Sequence, residues 1–165
     1  MMRVKLDDTL LLQVEKPAKY IGNEWNMVKK DPESVEVRFA FAFPDDYEIG
    51  MSHLGMKILY HILNRREDTY CERVFAPWVD MERLMREKGL PLYTLETYTP
   101  ISEFDIIGFT LQYEMSYTNI LNMLDLGGVP VLAKDRNRSH PFVCAGGPCA
   151  VNPEPLADFI DFFVI

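Results

Sequence analysis

The chain has 165 residues, 48% of them hydrophobic and 25% charged, the balance of an ordinary globular domain large enough to bury its own core. Its formal net charge of −8 argues against wide contact with a nucleic-acid backbone, because an acidic surface repels that polyanion. No apolar run approaches the roughly 18–20 residues of a membrane span. The opening stretch, Met1-Met2-Arg3-Val4-Lys5-Leu6-Asp7-Asp8, lacks the order of a signal peptide, so a cytoplasmic protein is expected. Three cysteines, Cys71, Cys144 and Cys149, cannot all pair within one chain, which suits a reducing compartment. Cys144 and Cys149 match no zinc-knuckle spacing, and Cys71 and Cys144 lie in apolar runs, where small buried hydrophobes are expected.

Residues 1–34 mix charges with Tyr20, Trp25 and Met27 and read as a helix and an irregular arm packed on the rest of the domain. The Val- and Phe-rich run Val35 to Phe43 is the first strand, stopped by Pro44-Asp45-Asp46. Met51, Leu54, Ile58 and Ile62 then recur at i, i+3, i+7 and i+11, which predicts one helix with that stripe buried. Ser52 is placed to cap it, and Gly55 to bring its backbone close to the sheet. Tyr70 to Phe75 is the second strand. A helix from about Val79 to Lys88 comes next, ended by Gly89, and Leu92 to Leu95 suggests a short extra strand.

The nearly continuous apolar run Asp105 to Leu111 suits a strand covered on both faces. Tyr117, Ile120, Leu121 and Leu124 line a helix closed by Gly127-Gly128. Lys134, Arg136 and Arg138 fall in one loop, read as a solvated connection or a local basic patch. Pro141 to Ala145 is the fourth strand and Asp161 to Ile165 the fifth. This alternation predicts right-handed βαβ units. The expected fold is a three-layer α/β domain, flavodoxin-like or Rossmann-like, with about five parallel strands in the order 2-1-3-4-5 and helices on both faces. Because an apolar strand closes the sequence, the chain is expected to be an excerpt of a longer protein.

In open parallel sheets, ligands bind outside the carboxyl ends of the strands. Three loops reach that edge: Pro44 to His53, Gln112 to Ser116, and Gly146-Gly147-Pro148-Cys149. Each leads towards a helix start, where free N–H groups favour acceptors. The glycine pair allows close backbone approach to a ligand or a tight turn. Neither a Gly-x-Gly-x-x-Gly fingerprint nor a Walker loop is present. Ser52 and His53 are adjacent on a helix and point apart, which rules them out as nucleophile and base. His53, opposite the apolar stripe, is expected to face solvent or ligand. Asp45, Asp46 and Glu48 form either a metal-seating cluster or a polar solvated loop.

The segment from Phe43 to Gly55 (Phe-Pro-Asp-Asp-Tyr-Glu-Ile-Gly-Met-Ser-His-Leu-Gly) resembles a radical S-adenosylmethionine (radical SAM) protein family with an N-terminal cobalamin-binding-like domain. So do Glu72 to Trp78, Gly108 to Glu114, and the closing stretch from Ala145-Gly146-Gly147-Pro148 through Asn152-Pro153-Glu154-Pro155-Leu156-Ala157-Asp158 to Ile165. The resemblance implies that residues 35–165 form the cobalamin-binding-like domain. It also implies that the partner is the protein's own C-terminal radical domain, where three cysteines in Cys-x-x-x-Cys-x-x-Cys hold a [4Fe–4S] cluster that cleaves S-adenosylmethionine. That motif is not in this sequence.

Cobalamin domains that ligate cobalt carry Asp-x-His-x-x-Gly after the first strand, Ser-x-Leu after the third and Gly-Gly after the fourth. Here His53-Leu54-Gly55 has different spacing, Thr110 stands where the serine would be, and Gly146-Gly147 matches. The family also holds cobalamin without a protein ligand to cobalt. The candidate cofactor-binding residues are therefore Ser52, His53, Thr110, Gln112, Gly146, Gly147 and Pro148, with no catalytic or metal-ligating residue assigned. Three readings stay open: a cobalamin-holding module of a radical SAM iron–sulfur oxidoreductase, an accessory module without cobalamin that positions a substrate or lids the radical domain, and a small free-standing metal-dependent enzyme using the acidic loop.

Overall fold

Alternation in the strands decides how this sheet is covered. The computed structural model describes residues 3–165; Met1 and Met2, the first two residues of the opening stretch, lie outside the described residues. Strands β1 (Val37–Phe43), β2 (Thr69–Phe75), β3 (Ile106–Thr110), β4 (Phe142–Gly146) and β5 (Phe162–Val164) form one sheet in the order β2-β1-β3-β4-β5. All four pairings are parallel, so both the expected fold and the expected strand order are found.

Among the described residues five α-helices accompany the strands: α1 (Asp8–Leu11), α2 (Tyr47–Ser52), α3 (Leu54–Asn64), α4 (Val79–Lys88) and α5 (Tyr117–Leu126). The step from β1 to β2 runs one way along the sheet, and the later steps run the other way. Right-handed crossovers therefore put α3 on one face and α4 and α5 on the opposite one. Successive side chains of a strand point to opposite faces, and in-register partners share a face. Ala40, Ala42, Val74, Ile107, Phe109, Val143 and Ala145 form the closed face, packed with Met81, Leu84, Ile120 and Leu124 from α4 and α5, and all are buried. The other face carries Phe39, Phe41, Gly108, Cys144, Phe162 and Val164, with α3 across β2 and β1.

The single helix expected from Met51 to Ile62 is two helices. His53 has extended backbone (φ −76°, ψ 114°) and its ring nitrogen Nδ1 accepts from the Met56 N–H, so the chain breaks after Ser52 and α3 starts afresh. The break shifts the helical phase. Met56, Tyr60 and Asn64 turn inwards, while Leu54, Ile58 and Ile62 stand 68%, 49% and 52% exposed. Ser52 is an exposed last residue of α2 whose hydroxyl donates to the Ile49 carbonyl at 2.7 Å. The caps are Asp46 for α2 and His53 for α3. Gly55 serves the His53 ring rather than the sheet, because a Cβ there would lie 2.9 Å from the imidazole.

Leu92 to Leu95 does not join the sheet. Tyr93 makes an isolated antiparallel bridge to Pro100, and the Leu95 N–H donates to the Arg73 carbonyl at 2.9 Å, shielding the β2 edge. Beneath this loop lies a buried charge network. The Glu72 carboxylate pairs with Arg38 at 2.5 Å and accepts from the Thr94 and Thr97 hydroxyls. Arg73 pairs with Glu96 at 2.6 Å and with Glu24 of the N-terminal arm at 2.9 Å. The arm is tied down elsewhere by the Val4 N–H to Tyr98 and by Lys19 to Asp46. In the basic loop, Arg136 is neither solvated nor free for a ligand. Its guanidinium pairs with Asp161 and donates to the carbonyls of Pro130, Val131 and Phe159, anchoring β5.

Both charge clusters can be tested. Arg136→Ala leaves Asp161 and three carbonyls without their donor, which costs on the order of 2–4 kcal/mol; thermal unfolding should show a midpoint lowered by several degrees, and an unchanged midpoint would refute the anchor. Burial pushes the Glu96 carboxyl up to about 7, against the pull of Arg73. Between pH 4.5 and 7 the folded chain thus binds more protons at Glu96 than the unfolded one, and this group's contribution to stability is lost as pH rises through that window. In urea unfolding, the stability of wild type relative to Glu96→Gln should fall by on the order of 1–3 kcal/mol from about pH 5 to about pH 8. A difference that is flat or grows with pH would contradict this.

Candidate functional site

At the carboxyl ends of β1, β3 and β4 the α3-bearing face opens into a groove of about 530 Å³, within the range of ligand pockets. Its floor is made by small side chains. The in-register pairs Gly108–Cys144 and Thr110–Gly146 bring almost nothing above the backbone, while Phe39 and Phe41 wall one side. A Cβ at Gly108 would run into the Phe39 ring, so the glycine is what lets Phe39 lie flat there. Leu59, Ile62 and Leu63 of α3 form the second wall, and Val164 of β5 the far rim. The lining is apolar apart from one polar cluster.

That cluster is a hydrogen-bonded chain across the top of the groove. Because His53 Nδ1 accepts from the Met56 amide, its proton sits on Nε2 and is donated to Gln112 Oε1 at 3.0 Å. Gln112 Nε2 then donates to Thr110 Oγ1 at 2.5 Å. Thr110 keeps its own hydroxyl proton to offer to a groove occupant. Both imidazole nitrogens are engaged, which makes His53 a cap and a spacer and leaves no lone pair for a metal. On the other side of this chain lies a smaller cavity of about 140 Å³ under Asp45, Ile49 and Tyr113.

The glycine turn is held by β3. The Leu111 N–H donates to the Gly146 carbonyl at 2.6 Å, and the Cys149 N–H donates to Leu111 at 3.2 Å. Gly147 has φ +112°, and a Cβ on it would sit 2.8 Å from the Leu111 oxygen, so no other residue fits without moving the loop. Pro148 comes next as the first residue of a 3-10 turn and stands at the groove mouth.

Of the residues singled out in the sequence, His53, Thr110, Gln112, Gly146, Gly147 and Pro148 come together around the groove. Ser52 does not. Phe39, Phe41, Leu59, Cys144 and Val164 line it and were not singled out. For the four on strands the signal was parity: Phe39, Phe41, Cys144 and Val164 share a face with Gly108, a gap in an otherwise bulky strand. Burial pushes the Cys144 thiol up to about 11, so it stays protonated and acts as a small apolar wall; Cys71 is fully buried.

The acidic loop is buried and paired at Asp46 and remains exposed at Glu48. Lys19 binds both oxygens of the buried Asp46 at 2.8 and 2.7 Å, and Lys16 holds Glu48 at 2.9 Å. Among the described residues, no group of three or more His, Cys, Asp or Glu side chains converges to hold a metal, and no helix is long and apolar enough to cross a membrane.

Comparison with known proteins gives this geometry a family. An "Uncharacterized protein MJ0966" of Methanocaldococcus jannaschii is 29% identical over 129 residues, which cover 76% of this chain and 23% of that protein. The chain thus spans less than a quarter of that relative's length. No solved structure matches. The family model described as radical SAM proteins, N-terminal, matches residues 55–165, the stretch that supplies α3, four of the five strands and most of the groove. The chain belongs to the family of N-terminal domains of radical SAM proteins.

Proposed function

We propose that this domain holds a cobalamin-type cofactor against the radical centre of its full-length protein, with the nucleotide tail of the corrin entering the groove. The observation that carries this reading is the floor of Cys144 and Gly146, where a sheet otherwise rich in Phe and Val carries little bulk beside two phenyl walls. A planar, mostly apolar group fits there, and Thr110 supplies a polar contact at its end. The volume suits a tail rather than a whole corrin, which leaves the macrocycle over the strand ends. The exposed Ile49, Tyr113 and Met115 stand on that edge.

When bound, a corrin supplies cobalt-centred alkyl or radical chemistry. The chain's own residues bind it, orient it and keep water from its tail. Both nitrogens of His53 are engaged within the fold, so His53 would help shape the groove rather than serve as a ligand to the cobalt. The cluster and S-adenosylmethionine of the full-length protein belong to its C-terminal radical domain, since the three cysteines here do not converge. The substrate is set there as well, and an oxidoreductase is the activity we assign to the whole. The accessory and metal-enzyme readings are less well supported: the groove has the form of a ligand site, and two of the three carboxylates the third reading needs, Asp46 and Glu48, are paired with lysines.

The full-length protein incubated with hydroxocobalamin and desalted should retain corrin absorbance near one equivalent. Cys144→Phe fills the groove floor, and Gly146→Val adds bulk where a Cβ would already lie 3.3 Å from the Val164 carbonyl; each should lower retention at least about tenfold, equivalent to about 1.4 kcal/mol or more. Ser52→Ala, outside the groove, should leave retention within about twofold, less than about 0.5 kcal/mol. A colourless wild type, with circular dichroism showing it folded, would contradict the proposal. So would full retention by Cys144→Phe.

A further inference from the structure

Helix α3 separates two cavities. Leu59, Ile62 and Leu63 line the groove, whereas Met56, Lys57, Tyr60 and His61 line a second cavity of about 520 Å³ beside the N-terminal arm. Residues 22–27 of the arm form a strap along its edge. Gly22 and Asn23 turn the strap with φ +55° and +67°. Tyrosines pin its ends: the Tyr98 hydroxyl donates to the Ile21 carbonyl at 2.6 Å, and the Val28 N–H donates to the Tyr60 hydroxyl at 2.9 Å. Glu24 clasps the middle, accepting from Arg73 at 2.9 Å and from the Tyr47 hydroxyl at 2.8 Å. Next to it, Trp25 lines the cavity and is fully exposed, an uncommon position for so large an apolar ring.

The polar groups at this cavity are donors. The Arg73 side chain is only 8% exposed. Its Nε and Nη2 donate to Glu96 and Glu24, but Nη1 donates to the Met51 sulfur at 3.2 Å, and a thioether is a weak acceptor. A buried guanidinium N–H on the cavity wall thus has a poor partner. Lys57 and His61, one turn apart on α3, are exposed in the same lining, and their side chains make no hydrogen bond or ion pair among the described residues. The one carboxylate in the lining, Glu24, has both oxygens engaged by Arg73 and Tyr47, so it is not left to receive a cation.

We propose that this cavity binds a small aromatic monocarboxylate, its carboxylate held by Arg73 Nη1 and balanced by Lys57, and its ring laid among Met51, Met56 and Tyr60 beside Trp25. Donors lacking good acceptors select an anion. The charge balance selects a single negative charge: Arg73 is already offset by Glu24 and Glu96, which leaves Lys57, and a phosphate dianion would stand against Glu24. The volume falls within the range of small-molecule sites, and thioether and aromatic walls suit a flat apolar group. The cavity shares no lining residue with the groove. The inference therefore stands with or without a corrin.

The test irradiates the full-length protein, without added corrin, in the presence of 4-benzoylbenzoate, a photo-cross-linking aromatic monocarboxylate. Labelled peptides should map to residues 24–28, to Met51 or to residues 56–61. Added 1-naphthoate should protect them, and its neutral counterpart 1-naphthalenemethanol should not. Lys57→Gln, a change at an exposed position, should weaken protection by 1-naphthoate at least about fivefold, and Trp25→Ala about threefold or more. Arg83→Gln, exposed on α4 across the sheet, should leave it within about twofold. Circular dichroism checks that each variant is folded. Label confined to the groove or to other regions, equal protection by the alcohol, or protection unchanged in Lys57→Gln or Trp25→Ala would each overturn the proposal. Corrin retention is read in a separate sample, so failure of one reading leaves the other standing.

Discussion

A strand's side chains must alternate between two faces, and in a parallel sheet both faces have to be kept from water. The whole molecule is shaped by how unevenly that demand is met. On the closed face, α4 and α5 press Met, Leu and Ile side chains onto a layer of Ala, Val and Phe, with Ala40, Ile107 and Val143 fully buried. On the open face, α2, α3 and the N-terminal arm cover β2 and the near side of β1, and the strands beyond trade bulk for Gly108, Cys144 and Gly146. Space is thus built into the interior edge of the sheet at the point where chain order reverses, which is where α/β domains take their ligands.

Polar groups keep that space from collapsing. The relay from His53 through Gln112 to Thr110 ties the break between α2 and α3 to the end of β3. The Leu111 backbone clamps the Gly146-Gly147 turn from below. The acidic loop beside them is balanced by lysines from the arm, and Arg136 braces β5 through Asp161. Each device uses a charge or a hydrogen bond to hold backbone around the groove rather than to present a reactive atom. This suits a domain whose chemistry is supplied by something it binds or adjoins.

The strands and their order were legible because β-branched and aromatic runs separated by helical stretches admit few right-handed arrangements. The glycine turn was legible from its place after a buried strand. The helix after β1 was misread for a physical reason: periodicity at 51, 54, 58 and 62 assumes one unbroken helix, and His53 takes extended dihedrals and caps a new one. The apolar stripe is real, but most of it lies on the outer surface of α3 rather than in the core. Arg136 was misread because a basic loop side chain carries no sequence signal of the carbonyls it will meet. The groove walls Phe39 and Phe41 look like ordinary core until the register sets them beside Gly108.

The central claim is that the groove on the sheet's α3-bearing face is built to be filled by a bound group. An experimental structure of the full-length protein, by crystallography or electron cryo-microscopy, tests it most directly. The account predicts the strand order found here, with ordered non-solvent density lying over Cys144 and Gly146. The same sheet with that face bare to water, or with Phe39 and Phe142 folded inwards to fill the groove, would contradict it.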